Sequence, residues 1–289
     1  MAKIELCGVS YVYSSKTPFE KTAVNNIDVT IEEGSITGII GHTGSGKSTL
    51  VQMLNGLLQP TSGRVLFNGT DIWENKRMLR DLRFKVGLVF QYPEYQLFEE
   101  TVELDIAYGP KNMGLDKAET AKRVSDAVRF CGLDESVLKK SPFELSGGQQ
   151  RRVAIAGVMA MTPEVLVLDE PAAGLDPQGR SDIFGGICEY RRKTGATVII
   201  VSHSMEDIAR YCERVLVMSK GEVFAYGDCD RIFERSDELE KIGLDIPQIA
   251  RVLRRVEEMG FSFDKKIYTV GEAYRALIPY IKGGGGPAS

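Results

Sequence analysis

Gly41-His42-Thr43-Gly44-Ser45-Gly46-Lys47-Ser48 fits the pattern Gly-x-x-x-x-Gly-Lys-Ser/Thr in full. Residues of these types at this spacing suit the binding of phosphate groups. The glycines let backbone N–H groups curl around phosphate oxygens, Lys47 reaches β- and γ-phosphates, and Ser48 supplies a hydroxyl to Mg²⁺. An apolar run, Ile36–Ile40, precedes the loop, and Leu50, Met53, Leu54, Leu57 and Leu58 follow it at helical spacing. The loop is therefore expected at a helix N-terminus, where the dipole favours anions.

A second set of groups could complete a nucleotide-hydrolysing site. In Leu166-Val167-Leu168-Asp169-Glu170 an apolar run ends in two carboxylates. Asp169 is placed to hold Mg²⁺, directly or through water, and Glu170 to polarise an attacking water. Gln91 and His203 also follow apolar runs, so each could reach the γ-phosphate or the water. Leu145-Ser146-Gly147-Gly148-Gln149 opens a helical pattern at Gln149–Met161. Ser146 and the two glycines thereby present backbone donors at a helix start, a second anion site.

Positioning these groups needs an α/β framework. Four apolar runs, Ile36–Ile40, Val86–Phe90, Val165–Leu168 and Val198–Val201, read as buried strands of a parallel sheet. They end in Gly41, Gln91, Asp169-Glu170 and Ser202-His203, and ligands of open α/β sheets gather outside the carboxyl ends of strands. Ile4–Tyr13 and Ala23–Ile31 are rich in β-branched residues and read as further, antiparallel strands. Helical patterns at Thr120–Cys131 and Gln149–Met161, with turn signals at Gly109-Pro110 and Ser141-Pro142, predict a helical subdomain inserted over about 92–163. The main domain would span 1–236 and a helical extension 237–282, where Ile249, Val252, Leu253 and Val256 form one stripe. Thr269-Val270-Gly271-Glu272 fits a capping box opening another helix, and residues 283–289 read as a flexible tail. No internal repeat is visible.

Composition narrows the function classes. The chain has 289 residues, 43% hydrophobic and 26% charged, which is ordinary globular usage for one large domain or two smaller ones. No apolar run approaches the roughly 18 residues that span a bilayer, and no secretory h-region follows Met1. Lys and Arg total 36 against 40 Asp and Glu, a net charge of −4 that disfavours a nucleic-acid partner bound through bulk positive charge. Five scattered cysteines and two histidines nearly exclude a zinc cluster and fit a reducing cytosol.

Together these motifs resemble the ATP-binding-cassette (ABC) ATPases over about residues 3–235. The likeness runs through the phosphate loop Gly41–Ser48, Gln91 as the Q-loop, Leu145–Gln149 as the signature and Asp169-Glu170 as Walker B and catalytic glutamate. Gly174-Leu175-Asp176 resembles the D-loop and His203 the switch histidine. This resemblance implies a P-loop nucleotide-binding fold with ATP and Mg²⁺ as cofactors. Gly41, His42, Thr43, Gly44, Ser45, Gly46, Lys47, Ser48 and Thr49 would bind ATP, and Ser48, Gln91 and Asp169 would hold Mg²⁺. Glu170, His203 and Gln91 would act in catalysis, with Asp176 at a seam between two chains. Ser146, Gly147, Gly148 and Gln149 would meet the ATP of a partner chain. Tyr13, in Val9-Ser10-Tyr11-Val12-Tyr13, looks like the aromatic that stacks on adenine, and Tyr11 shares its strand face.

Finer features resemble the energy-coupling factor (ECF) transporters of vitamins and metals. Phe90–Phe98, Glu100-Thr101-Val102 and Tyr108-Gly109-Pro110-Lys111-Asn112 carry that likeness. Thr17-Pro18-Phe19-Glu20-Lys21, Gly41-His42-Thr43-Gly44, Ser141-Pro142-Phe143-Glu144 and Gly243–Gln248 are similar to the second of the family's two ATPase paralogues. One departure is Ala172, where the family usually has Thr. The resemblance implies an ATPase on the cytoplasmic face of a prokaryotic membrane, peripheral to it. Its partners would be a paralogous ATPase, a transmembrane coupling protein and a substrate-capture membrane protein, and a homodimer could form in isolation. Tyr92–Phe98 would form a docking groove for the coupling protein, with charge reversal at Glu94 uncoupling transport while sparing basal hydrolysis.

Rival classes fit less well. A conventional ABC importer, or a dedicated cobalt or nickel system, is opposed by the C-terminal extension and the Gln91–Asn112 pattern. A chromosome or DNA-repair ATPase needs long heptad arms, whereas Glu144 follows Gln91 by only 53 positions. A translation-associated relative would carry two cassettes, and one phosphate loop is present. The signature and Glu170 disfavour a P-loop kinase.

Overall fold

The computed structural model describes residues 3–75, 78–263 and 267–283. Strands β1 (Ile4–Tyr13) and β2 (Lys21–Ile31) form an antiparallel hairpin, followed by β3 (Ile36–Ile40) and helix α1 (Lys47–Leu54). Next come β4 (Ser62–Phe67), β5 (Thr70–Asp71), α2 (Met78–Lys85) and β6 (Val86–Val89). Three helices, α3 (Val102–Asn112), α4 (Lys117–Phe130) and α5 (Gly147–Met159), intervene before β7 (Val165–Asp169). Then follow α6 (Pro177–Thr194), β8 (Thr197–Val201), α7 (Met205–Tyr211), β9 (Arg214–Ser219) and β10 (Glu222–Asp228). The chain closes with α8 (Cys229–Glu234), α9 (Ser236–Lys241), α10 (Gln248–Glu258) and α11 (Val270–Gly283).

The strands make two sheets. One is antiparallel, in the order β2-β1-β4-β5, and the other runs β10-β9-β3-β8-β7-β6. Within the second sheet β9, β3, β8, β7 and β6 are parallel, and β10 pairs antiparallel at the edge. Every residue of β3, β6, β7 and β8 is buried, which is why these strands read as unbroken apolar runs. Alternation then sorts their side chains. Val165, Val167, Ile199 and Val201 join Leu50, Met53 and Leu54 of α1 and the inner face of the antiparallel sheet in one core. Leu166, Leu168, Val198 and Ile200 face the other way, into a core shared with α4, α5, α6 and α7. Helix α1, and with it the phosphate loop, is thus packed into the core that the two sheets share.

Some local expectations are corrected. Gly109-Pro110 does not turn the chain: both residues lie inside α3, which ends at Asn112. Pro110 lacks the N–H that would bond the preceding turn, yet it is buried, and a Cβ on Gly109 would come within 2.6 Å of Met161 Cγ. Packing of α3 against α5 overrides the breaker signal. Helix α1 stops at Leu54, because Gly56 takes φ +65 and Leu57 turns outward, 45% exposed. In α10 only Leu253 of the expected stripe is fully buried; it joins Ile249, Phe263 and Ile267 in a small separate core, and Val252 is exposed. The Thr269–Glu272 capping box forms: Thr269 N–H donates to Glu272 Oε2 at 3.1 Å and Glu272 N–H to Thr269 Oγ1 at 3.3 Å. Of the tail, residues 284–289 lie outside the described residues.

Candidate active site

The loop between β3 and α1 is clamped from two sides. Gly221 N–H, in the β9–β10 turn, donates to Ser45 O at 3.1 Å, and a Cβ on Gly46 would overlap the Ala23 carbonyl of β2. Gly44 and Gly46 sit at φ +81 and +101, backbone that suits glycine. The space over Gly44 is open to 4 Å. Lys47 is 6% exposed and folds back, donating from Nζ to Gly41 O at 2.6 Å and His42 O at 3.1 Å. Burial pulls its ammonium below the usual lysine range, against the opposing charges of Glu170 and Asp169. His42 Nδ1 donates to Thr43 O at 2.9 Å, leaving Thr43 and Gly44 exposed at the loop's crest.

At the far side of the loop Ser48 Oγ donates to Asp169 Oδ2 at 3.0 Å, tying α1 to the end of β7. Burial raises the Asp169 carboxyl, while the Ser48 hydrogen bond and Lys47 oppose that. Glu170 follows at φ +54, a left-handed conformation that costs a non-glycine residue about 1–2 kcal/mol. Its N–H donates to Val201 O of β8 at 3.0 Å. Burial, then the neighbouring Asp169 charge, pushes the Glu170 carboxyl up to about 7. Its Oε1 is buried without a hydrogen-bond partner and lies 3.6 Å from His203 Nε2. Burial and the Lys47 charge lower the His203 imidazole, favouring its neutral form.

Five of the expected groups therefore converge: Lys47, Ser48, Asp169, Glu170 and His203. Gln91 lies two residues beyond β6, next to β7 in the sheet, and is exposed. Tyr13, 40% exposed, reaches the same region through a 3.1 Å hydrogen bond between its hydroxyl and Thr49 Oγ1 of α1. Tyr11 meets the Tyr13 ring edge-on at 4.8 Å and is partly buried in the inter-sheet core. Ser146 caps α5 in a capping box: its N–H donates to Gln149 Oε1 at 3.1 Å and its Oγ accepts from Gln149 N–H at 3.4 Å. Ser146 and Gly147 are exposed, and Gly148 sits close to Leu175, ahead of Asp176. Asp176 caps α6, accepting from Gly179 N–H at 2.8 Å.

Phosphate and magnesium fit these residues. Ser45 Oγ is buried without a hydrogen-bond partner inside the loop, and the first amides of α1 have no partner within the helix. Ser48 Oγ and Asp169 Oδ2 are hard oxygen donors held side by side, as Mg²⁺ prefers. Two further buried charged groups were not singled out by sequence pattern. Asp207 is buried, is capped by Ser204, pairs with Arg180 at 3.5 Å and adds to the upward push on Glu170. The Ser204-x-x-Asp207 spacing was a readable cap signal for it. The other is Arg151, whose buried guanidinium pairs with Glu94 at 3.2 Å. Glu94 is therefore no free acidic group on a docking face.

The ABC transporter family matches residues 24–173. The Clostridium perfringens protein named energy-coupling factor transporter ATP-binding protein EcfA2 is 52% identical over 280 residues, 96% of this chain and 98% of its own. A Clostridium acetobutylicum protein of the same name is 51% identical over 276 residues, covering 95% and 96%. Among solved structures, cbiO1 from Clostridium perfringens, part of the ABC transporter complex cbiONQ, superposes with a TM-score of 0.74. It shares 39% identity over 87% of this chain and 98% of that one. The dimeric ATP-binding cassette MJ0796, bound to ADP and Pi, gives a TM-score of 0.71 at 29% identity, covering 78% and 98%.

Proposed function

The chain belongs to the ABC transporter ATPases, among the ATP-binding proteins of energy-coupling factor transporters, and on that premise we propose that it powers import of a vitamin or transition metal. The observation that carries the reading is the Ser48–Asp169 hydrogen bond beside the buried Glu170 carboxyl. It joins a phosphate loop to an acid-base pair at one spot.

In the proposed reaction the loop amides and Lys47 hold the β- and γ-phosphates, and Tyr13 faces the adenine. Ser48, Asp169 and Gln91 would hold Mg²⁺, which would supply charge neutralisation at the phosphates. Glu170 takes a proton from the attacking water, and a carboxyl raised to about 7 is a stronger base than an ordinary one. His203, neutral and close to Glu170, orients the water or the γ-phosphate. Ser146, Gly147, Gly148 and Gln149 meet ATP held by a second ATPase chain, with Asp176 at the seam, so hydrolysis follows dimer closure.

The second ATPase is a paralogue in the working transporter, and a homodimer is its stand-in for the isolated chain. No described helix is long and apolar enough to cross a membrane, so contact with the cytoplasmic face runs through a transmembrane coupling protein and a substrate-capture protein. A groove of about 330 Å³ lined by Leu97, Phe98, Asp105, Tyr108 and Met161 supports docking of the coupling protein. A second reading, a conventional ABC importer or a dedicated cobalt or nickel transporter, would use the same ATP site. Purifying the tagged chain from native membranes, identifying its companions and reconstituting them tests both readings. Recovery of a paralogous ATPase with two membrane proteins supports the first, and recovery of a conventional importer's permease pair sinks it.

A further inference from the structure

Arg151 is 3% exposed, and its Nε donates to Glu94 Oε2 at 3.2 Å across 57 positions of sequence. Its Cζ lies 5.8 Å from the Tyr92 ring centroid, and its Nη2 is buried without a hydrogen-bond partner. The acceptor's own segment is stiff. Tyr92 holds φ +60, Pro93 is buried and fixes the next φ, and Glu94 O accepts from the buried Leu97 at 3.4 Å. This turn begins two residues after Gln91 and packs against α5. Arg151 stands five positions along α5 from its cap Ser146, about 7.5 Å at the helical rise.

We propose that the Glu94–Arg151 pair is a positioning link that makes the turn after Gln91 and the start of α5 move as one piece. The inference rests on the shared-site reading above, in which Gln91 senses this chain's own nucleotide and Ser146 serves the partner's. A shift of Gln91 towards its nucleotide carries Glu94 with it, Glu94 carries the buried guanidinium, and the guanidinium carries Ser146. Arginine suits this task. Its planar fork is held by one N–H to the carboxylate and by the Tyr92 ring, so the turn cannot slide along the helix without breaking both. The unpaired Nη2 leaves room for a second, bidentate bond when the two elements tighten.

Steady-state ATP hydrolysis by the full chain, assembled with its partner ATPase, tests the link. Glu94→Gln and Arg151→Met should each lower kcat about tenfold or more, with KM and equilibrium ATP binding within about twofold. The double variant Glu94→Gln/Arg151→Gln buries no lone charge, and its amides can still bond one another. It should recover kcat to within about threefold of the native chain. The double variant also keeps the test open where a single variant fails to fold. A role confined to holding the fold would instead lower the melting temperature and ATP affinity, leaving kcat per folded molecule unchanged; that result overturns the link. So does a kcat loss that the double variant leaves uncorrected. Ser146→Arg separates the underlying reading. If it leaves the ATP held by the partner hydrolysable, the shared site is wrong; if it silences that ATP while the Glu94 and Arg151 variants leave kcat unchanged, only the link is wrong.

Discussion

Glu170 Oε1 and His203 Nε2 lie 3.6 Å apart at the ends of two neighbouring strands, β7 and β8. Both groups are shifted towards their neutral forms, the carboxyl upward and the imidazole downward, and burial is the main cause of each. The two groups thus lie close together without being locked as a permanent ion pair.

Glu170→Gln should lower turnover about 10²- to 10⁴-fold, because it removes the proton acceptor beside Asp169. ATP binding should persist, since Lys47 and the loop are untouched. Single-turnover hydrolysis alongside equilibrium nucleotide binding checks both halves. Near-native hydrolysis would move the base elsewhere.

The same carboxyl should make stability fall with pH in the protein free of nucleotide and magnesium. Its folded value of about 7 exceeds the ordinary 4.5, so the folded state holds its proton longer than the unfolded chain does. This contribution is fully present below pH 4.5 and is lost as pH rises through about 7, to the extent of about 3 kcal/mol. Glu170→Gln should therefore melt close to the native protein at pH 4.5 and several degrees above it at pH 8. An equal difference at both pH values would contradict the shift. Denaturant titrations at the two pH values measure it.

Tyr13 and Tyr11 should separate in nucleotide binding. Tyr13 is anchored to Thr49 and half open, while Tyr11 is drawn into the inter-sheet core. Tyr13→Ala should weaken ATP about tenfold with little loss of fold, by removing a base-stacking face of roughly 1–3 kcal/mol. Tyr11→Ala should chiefly lower the melting temperature. Fluorescent-nucleotide titration with a thermal melt on each variant decides; the reverse pattern would make Tyr11 the base platform.

A shared site predicts rescue on mixing. Lys47→Ala lacks the phosphate contact and Ser146→Arg blocks the signature, and each should be inactive alone. If the two pair, one mixed site joins an intact phosphate loop to an intact signature, and activity partly returns. A site complete within one chain gives no rescue at any ratio. Should the chain not form homodimers, Ser146→Arg here should silence the ATP held by the paralogue and leave that on Lys47 hydrolysable.

Sequence alone determined the parts of this protein whose physics is local. Glycines at 41, 44 and 46 with Lys47 and Ser48 spell a phosphate loop because positive φ, amide direction and side-chain reach are set within eight residues. The runs at β3, β6, β7 and β8 announced themselves because strands buried on both faces are apolar throughout. The caps at Ser146 and Thr269 did so because a helix start satisfies its amides from three residues away. Tertiary structure decided the rest. Gly109-Pro110 became helix because α3 packs on α5. Glu170 acquired a carboxyl of about 7 only because β7 and β8 bury it beside Asp169 and within reach of Asp207. The partnership of Glu94 with Arg151 spans 57 positions, and no periodicity of either segment encodes it. Pattern reports which faces are buried; which buried faces meet is settled by chain topology and by the requirement that each buried charge find its counterpart.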